Sequence, residues 1–198
     1  MSKEHVSIRL FKNPVLEAMT HIHPAIPAIL WSPIILALFY QSHQIHHHSL
    51  STYFLWALIG LLVWTLTEYG LHRFVFHYEA ASSFGKRLVY LFHGLHHDDP
   101  QDGRRLVMPP VPALLIVGVL YLGFKLVIAP KFLSLFMAFF LIGYLAYDYI
   151  HYATHHFPMT SPAGRFLRAY HLKHHYNHRP CKYGVSSPLW DYILKTVD

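Results

Sequence analysis

The chain has 198 residues, of which 54% are hydrophobic and only 13% are charged, a balance that indicates one polytopic membrane domain. Its formal net charge is +6, but the basic residues are dispersed and flank apolar runs, which argues against nucleic-acid binding. The single cysteine, Cys181, excludes an internal disulfide and leaves too little sulfur for a thiolate cluster. Any bound metal is therefore expected to be held by nitrogen and oxygen.

The segment that precedes the first apolar run is predicted to lie at the membrane surface. No cleavable signal peptide is expected, because charged residues interrupt this segment at Lys3, Glu4, Arg9, Lys12 and Glu17. Residues 6–19 instead fit a helix on the membrane surface, with its apolar residues facing lipid. Those apolar residues are Ile8, Leu10, Phe11, Val15 and Leu16.

Four uncharged apolar runs follow, and each is close to the roughly 17–25 residues that a helix needs to cross a bilayer. They are residues 24–40, 51–67, 106–124 and 132–147. The last run is the shortest. Prolines clustered at the start of the first and third runs predict that those two helices begin late or kink.

The distribution of charge predicts how these helices are oriented. If all four runs cross, two short links, 41–50 and 129–131, lie on one side of the membrane, and everything else lies on the other. Of the 16 lysines and arginines, only Lys125 and Lys131 lie near the short links. The positive-inside rule therefore places the opposite side in the cytoplasm.

Ten histidines form four short groups, and each group borders an apolar run. They are His72 and His77; His93, His96 and His97; His151 and His155; and His171, His174 and His175. Imidazole is the commonest metal ligand, and helix positions i, i+3 and i+4 share one face. The two HxxHH strings, and the pair at 151 and 155, are thus predicted to present their rings side by side. The five-residue spacing of His72 and His77 predicts that the helix ends or distorts near 74–76.

Ten imidazoles exceed what one ion binds, so two ions at one site shared between the halves of the chain are predicted. Carboxylates at Glu68, Asp148 and Asp98-Asp99 could orient ligand rings, although a surface or capping role suits the last two better. His156 stays open as a supporting residue. The other histidines are expected to be solvated interface residues: His5, His21, His23, His43, His46, His47, His48 and His178.

Four stretches of the sequence are distinctive. They are 68–77 (EYGLHRFVFH), 93–97 with 102–112 (HGLHH, DGRRLVMPPVP), 147–156 (YDYIHYATHH), and 171–175 with 183–192 (HLKHH, YGVSSPLWDY). In these stretches the chain resembles the fatty acid hydroxylase and sterol desaturase superfamily of integral-membrane di-iron enzymes. The resemblance is strongest to its fatty acid 2-hydroxylase branch and extends over about residues 9–195.

The resemblance implies an all-α integral membrane fold: four transmembrane helices in two hairpins, with a cytosolic helical cap that holds a dinuclear metal site. It implies that the ten grouped histidines bind two iron ions, with zinc possible in purified protein. It also implies that Tyr147 and Asp148 line the substrate pocket. The implied reaction is O₂-dependent 2-hydroxylation of a lipid acyl chain, free or ceramide-linked, in the endoplasmic reticulum or a bacterial inner membrane.

Relatives in this superfamily often carry an amino-terminal cytochrome b5 domain, which this sequence does not show. Electrons are therefore expected from a separate redox protein, such as cytochrome b5 or a ferredoxin with its reductase. One domain is predicted over the whole chain. Its parts are 1–23 (interfacial segment), 24–67 (first hairpin), 68–105 (first histidine block), 106–147 (second hairpin) and 148–198 (second histidine block and carboxy-terminal cap).

Two alternatives remain open at this point. One is another oxidation of the same superfamily, such as sterol or carotenoid hydroxylation or desaturation, with the same metal site and a different pocket. The other is membrane zinc transport or metal storage, which would also explain abundant histidine. Transport requires polar ligands at mid-membrane depth, whereas the four apolar runs have none in their middles.

Overall fold

The computed structural model describes residues 6–177 and 179–198, and this part of the chain is helical without β-strands. Residues 1–5 of the predicted interfacial segment, which include His5, and also His178, lie outside the described residues. The α-helices are α1 (Pro14–Ala18), α2 (Ile26–His46), α3 (Leu50–Leu71), α4 (Ser83–Val89), α5 (Leu95–Asp98), α6 (Pro110–Val127), α7 (Pro130–His156), α8 (Pro162–Tyr176) and α9 (Leu189–Ile193). Two π-helical turns interrupt them, His72–Phe76 after α3 and Tyr90–Gly94 before α5.

Four helices in the described part are long and apolar enough to cross a membrane: α2, α3 with its π turn, α6 and α7. They coincide with the four predicted runs, so the all-α membrane fold is confirmed. The fourth run, the shortest in the sequence, belongs to a helix of 27 residues. The helix continues past the apolar run because its polar end, from Asp148 onward, is largely buried against the rest of the protein.

Helix starts follow the local sequence. Proline occupies the first turn of α2 and α6, where its missing N–H costs nothing, and both helices begin later than their apolar runs, as predicted. The α3 helix begins after Ser49, whose hydroxyl accepts a hydrogen bond from the N–H of Thr52 at 3.3 Å.

Helix α7 is the centre of the bundle and packs against both α2 and α3. Aromatic rings fill these contacts: Trp31 of α2 meets Tyr144 edge to face at 5.6 Å. At the crossing of α3 and α7, a Cβ on Gly143 would lie 2.6 Å from Trp64, and one on Gly60 would lie 2.8 Å from Phe139. Glycine at these two positions therefore lets the helices approach closely, as is common in membrane helix pairs.

Helix α6 lies at the periphery. Among its residues only Ala113 is buried, and apolar side chains such as Leu115 and Val119 are exposed. An apolar surface of this kind is suited to contact with lipid.

The two short links lie at the same end of the bundle. His48, between α2 and α3, has its Nε2 atom 2.9 Å from the carbonyl oxygen of Lys131, at the start of α7. The opposite ends of α3 and α7 carry the grouped histidines. The predicted separation of links from histidine groups is thus present in the structure, while the assignment of the histidine side to the cytoplasm stays a prediction.

Candidate metal centre

The structure gathers the ten grouped histidines into two clusters of five. In each cluster, one nitrogen from each ring lies within 4.8 Å of the others. The first histidine group consists of His72, His77, His93, His97 and His174. The second histidine group consists of His96, His151, His155, His171 and His175. Either group could hold a metal ion.

Each HxxHH string is divided between the two groups. In the first string, His93 and His97 belong to the first group, whereas His96 belongs to the second. In the second string the division is reversed, with His174 crossing to the first group. The spacing argument correctly predicted that the rings converge, but positions i and i+4 share a group while i+3 faces the other. Each group therefore combines four histidines from one half of the chain with one from the other half.

The five-residue spacing of His72 and His77 is resolved by the π-helical turn between them. The N–H of His77 donates to the carbonyl of His72 at 3.2 Å, an i to i+5 bond that widens the turn. This places the two rings on one side, with centroids 5.0 Å apart. The predicted distortion near 74–76 is confirmed, and it aligns the pair instead of merely ending the helix.

The last turns of α7 and α8 supply four members of the second group. His151 and His155 lie one turn apart on α7, as predicted, and His171 and His175 do the same on α8. The Nε2 atoms of His155 and His171 are 2.9 Å apart, so the two helices bring their rings into direct contact. Regular helical geometry thus positions most of this group.

Backbone carbonyls orient two rings of the first group. The Nδ1 atom of His72 lies 2.5 Å from the carbonyl oxygen of Tyr183, and that of His174 lies 2.6 Å from the carbonyl oxygen of Cys181. A carbonyl only accepts, so each Nδ1 must carry the proton, and in neutral imidazole each Nε2 then holds a lone pair. Both lone pairs point into the first group. Tyr183 lies in the distinctive stretch 183–192, but no sequence pattern pointed to the carbonyl of Cys181.

The spacing between nitrogens fits metal coordination. Neighbouring Nε2 atoms in the two groups are 2.9 to 3.2 Å apart. Ligands at right angles around an ion with metal–nitrogen distances of about 2.1 Å would be roughly 3.0 Å apart. Four Nε2–Nε2 contacts link the rings of the first group, but His72 and His174 have no proton on Nε2, so neutral rings can make at most three of these contacts as hydrogen bonds. The donor set therefore fits two nitrogen-bound ions.

Burial keeps these imidazoles uncharged. It lowers the pKa of His77 and His97 to about 4, with the neighbouring histidines adding to the effect. Burial also lowers the pKa of His174 to about 4, against the opposing effect of the Cys181 carbonyl. The pKa of His171 is lowered well below its usual value by the same cause. At neutral pH these rings offer lone pairs without having to release a proton.

The two groups form one continuous cluster. The rings of His97 and His175, one from each group, are stacked with centroids 4.2 Å apart. His93 and His96 also lie close, at 5.6 Å. Two ions held here would therefore be neighbours in a single site, which is the arrangement that the residue count predicted.

Two of the carboxylates contact groups other than a ligand imidazole. Glu68 was expected to orient a ligand imidazole, but its carboxylate instead accepts hydrogen bonds from Val185 and Ser186. Asp148 is buried beside the Tyr144 side chain and the backbone of Met108. The contacts of Glu68 with the 185–186 backbone and of Asp148 with Met108 join segments that are far apart in the chain, so sequence distance could not reveal them.

An apolar cavity of about 540 Å³ ends at the histidines. His93, His96 and His151 contribute to its wall, so it touches both groups. Tyr147 and Asp148 also line it, and the ring of Tyr147 stacks on that of His151 with centroids 5.7 Å apart. The volume is within the range of sites that enclose small molecules.

The amino-terminal segment forms part of the cavity wall. Leu10 and Phe11, which were expected to face lipid, line the cavity, whereas Val15 and Leu16 are exposed as expected. The single helix predicted over 6–19 is also reduced to the five residues of α1. The cause is Arg105, whose guanidinium pairs with Glu17 at 2.5 Å and anchors the segment over the cavity.

Two histidines outside the groups also have defined surroundings. His48 stacks on Phe132 at the far end of the bundle, with centroids 5.3 Å apart. His156 packs against Tyr152 at 4.5 Å, beside the cluster but in neither group.

Fold and site together define a multi-pass membrane protein whose clustered histidines could hold metal ions next to an apolar cavity. The chain belongs to the fatty acid hydroxylase family, whose model matches residues 57–196. The suspected family is thereby confirmed.

Individual relatives agree with this membership. The chain is 40% identical over 138 residues to dihydroceramide fatty acyl 2-hydroxylase FAH2 of Arabidopsis thaliana, covering 70% of this chain and 58% of that protein. It is 35% identical over 214 residues to human fatty acid 2-hydroxylase, covering 96% of this chain and 56% of that protein. The chain thus spans little more than half the length of these relatives.

A solved structure has the same fold. It is described as full-length scs7p with only the hydroxylase domain visible, and it matches with a TM-score of 0.89 at 34% identity. The match covers 96% of this chain and 72% of that one.

Proposed function

We propose that this chain is a membrane di-iron monooxygenase that hydroxylates lipid acyl chains at the carbon next to the carbonyl. The observation that carries the proposal is the apolar cavity, which ends at His93, His96 and His151 and so touches both histidine groups. The relatives named fatty acid 2-hydroxylase and dihydroceramide fatty acyl 2-hydroxylase support the position of attack. The substrate is an acyl chain that is either free or linked to ceramide.

The ten grouped histidines are the proposed ligands of two iron ions, five for each. Imidazole also suits zinc, so purified protein can contain zinc in place of iron. Bound iron supplies the activation of O₂: two electrons and two protons are consumed, one oxygen atom enters a C–H bond of the substrate, and the other leaves as water.

The protein's own part is to bind and position the chain. Successive methylenes offer similar C–H bonds, so selectivity requires that the polar head be held at a fixed distance from the site. We assign this to Tyr147 and Asp148, which line the cavity and lie within one turn of His151. Apart from the histidines, the other polar lining residues are Thr20 and Arg105, which are hydrogen-bonded to each other. The apolar residues of the wall, which come from 10–22, 76–95 and 106–112, then enclose the methylenes and exclude water.

The electrons come from a separate protein, either cytochrome b5 or a ferredoxin with its reductase. The metal site faces the cytoplasm, where such donors are found, because most of the basic residues lie on that side of the four spans. The transport alternative is not favoured, since the ligands lie at the ends of the spans and not at mid-membrane depth.

Lipid mass spectrometry tests the proposal. The wild-type chain, His174→Ala and the control His47→Ala are expressed in a host that has no 2-hydroxylated lipids and is supplied with a reductase and its redox protein. We expect acyl chains that gain one oxygen atom, derived from ¹⁸O₂, with the wild type and His47→Ala but not with His174→Ala. Absence of oxygenated lipid from wild-type protein that contains iron and is reduced by the donor would refute the proposal.

A further inference from the structure

The carbonyls that orient His72 and His174 are those of Tyr183 and Cys181. Both belong to residues 181–187, here called the carboxy-terminal loop. The distinctive stretch 183–192 lies in and just after this loop, and its place in the chemistry is not explained by the metal ligands themselves.

Asp191, on α9, binds the backbone of the loop through its carboxylate. It is fully buried, and one carboxylate oxygen accepts from the N–H of Tyr183 at 2.8 Å, the other from the N–H of Gly184 at 2.8 Å. The Thr196 hydroxyl donates to the same carboxylate at 2.7 Å. A charge buried this completely is stabilised only when such donors surround it.

Glu68 holds the loop from the side of α3. Its carboxylate accepts from the N–H of Val185 at 2.6 Å, from the N–H of Ser186 at 2.8 Å and from the Ser186 hydroxyl. Glu68 lies one helical turn before His72. The helix that delivers this histidine therefore also grips the loop whose carbonyl orients it.

The loop leaves little room for another conformation. A Cβ on Gly184 would lie 2.1 Å from the carbonyl oxygen of Ser187 and 2.9 Å from the carboxylate of Asp191. Only glycine allows the backbone to approach the carboxylate this closely.

Three of the five rings in the second histidine group lack such support. Within the described residues, the Nδ1 atoms of His155, His171 and His175 have no hydrogen-bond partner. These three rings lie on the regular turns of α7 and α8. The two groups thus differ in what fixes the direction of their lone pairs.

We propose that Asp191 and Glu68 are positioning residues for the ion of the first histidine group. By fixing the carboxy-terminal loop, they hold the carbonyls of Tyr183 and Cys181 where these select the tautomer and orientation of His72 and His174. This inference rests on the metal-binding function proposed above. Outer partners of ligand histidines are commonly worth about 10–100-fold in metal affinity, so loss of the loop weakens one ion by that factor and leaves the other in place.

Metal release measures this difference directly. The full chain in detergent, loaded with iron, is exposed to EDTA for increasing times, and the ions that remain are counted by elemental mass spectrometry. Asp191→Asn removes one of the two oxygens that accept from the loop. We expect one of its two ions to be released at least about tenfold faster than in the wild type and the other within about twofold. The control is Glu79→Gln, an exposed carboxylate that should change neither rate.

Double variants identify which ion is affected. His72→Ala loses the ion of the first group and His171→Ala that of the second. If Asp191 acts through the first group, adding Asp191→Asn leaves release of the remaining ion unchanged in His72→Ala and accelerates it in His171→Ala. Asp191→Asn protein that releases both ions equally fast, or both as slowly as the wild type, overturns the inference.

A gentler variant serves if Asp191→Asn does not fold. Ser186→Ala removes one donor to Glu68 and keeps the backbone bonds, so a smaller acceleration confined to the same ion is expected. Retention of wild-type release rates in folded Ser186→Ala and in Glu68→Gln would contradict the role of Glu68. Failure of the wild-type chain to bind two ions would instead contradict the proposed function, so the two failures are distinguishable.

Discussion

The two histidine groups are alike in composition and unlike in support. Each has five imidazoles, four from one half of the chain and one from the other. Most of the second group lies on the regular ends of α7 and α8, whereas most of the first lies in or next to two π-helical turns. Two rings of the first group are also oriented by a loop that is more than 80 residues away from those turns in the sequence. Equal ligand sets do not imply equal sites, because the direction of a lone pair depends on what holds the other side of the ring.

The largest effects are expected on removal of His96 or His174, the one histidine that each group takes from the other half of the chain. His96→Ala takes the only contribution of the first half from the second group, and His174→Ala does the reverse. Each variant should bind the ion of its own group at least about 100-fold more weakly, since a ligand is worth no less than its outer partner. Elemental analysis after dialysis checks this. Equal loss of both ions from each variant would show that the groups are a single unit.

Acidification should lower the stability of the metal-free protein, because buried histidines of the first group then become protonated. The pKa of His77, His97 and His174 is lowered to about 4 in the folded protein, whereas an unfolded histidine titrates near 6.5. Between these values the unfolded chain binds more protons, so the metal-free protein is most stable above about pH 6.5 and loses stability as the pH falls toward 4.

Thermal unfolding of the metal-free protein between pH 7 and pH 4 measures this loss. His77→Gln should flatten the dependence by about one proton per chain. A melting temperature that rises on acidification would contradict the assigned direction of the pKa shifts.

A variant at the anchor of the amino-terminal segment tests the cavity independently of the metal groups. Arg105 is nearly buried and pairs with Glu17, and the segment it anchors contributes Leu10 and Phe11 to the cavity wall. Glu17→Gln should therefore raise KM for the acyl substrate roughly threefold to tenfold and leave kcat and both ions nearly unchanged. Steady-state kinetics with metal analysis checks it, and a drop in iron content would show that the segment also supports the ligands.

The smallest effect is expected at the far end of the bundle. His47 is exposed beyond the end of α2 and belongs to neither group. His47→Ala should change metal content and hydroxylation by less than about twofold, within the range of ordinary surface substitutions. A larger change would mean that the short links communicate with the metal site.

Much of the fold could be predicted from the sequence, because hydrophobic runs and histidine spacing are local signals. The four spans, the convergence of the ten rings and the distortion before His77 follow from such signals. The division of each HxxHH string between the two histidine groups could not be predicted, since it depends on how α5 and α8 are rotated about their axes. The true partners of Glu68 and the position of Phe11 were also missed, because each is set by a contact between distant parts of the chain.

The exchange of one histidine between the halves has a consequence for biosynthesis. A nascent chain interrupted after α6 would carry four histidines of the first group and one of the second. Neither ligand set is complete until α8 has emerged from the ribosome, and the loop that steadies the first set is made later still. Under the proposed function, loading with both ions would thus be a late event that requires synthesis of nearly the whole chain.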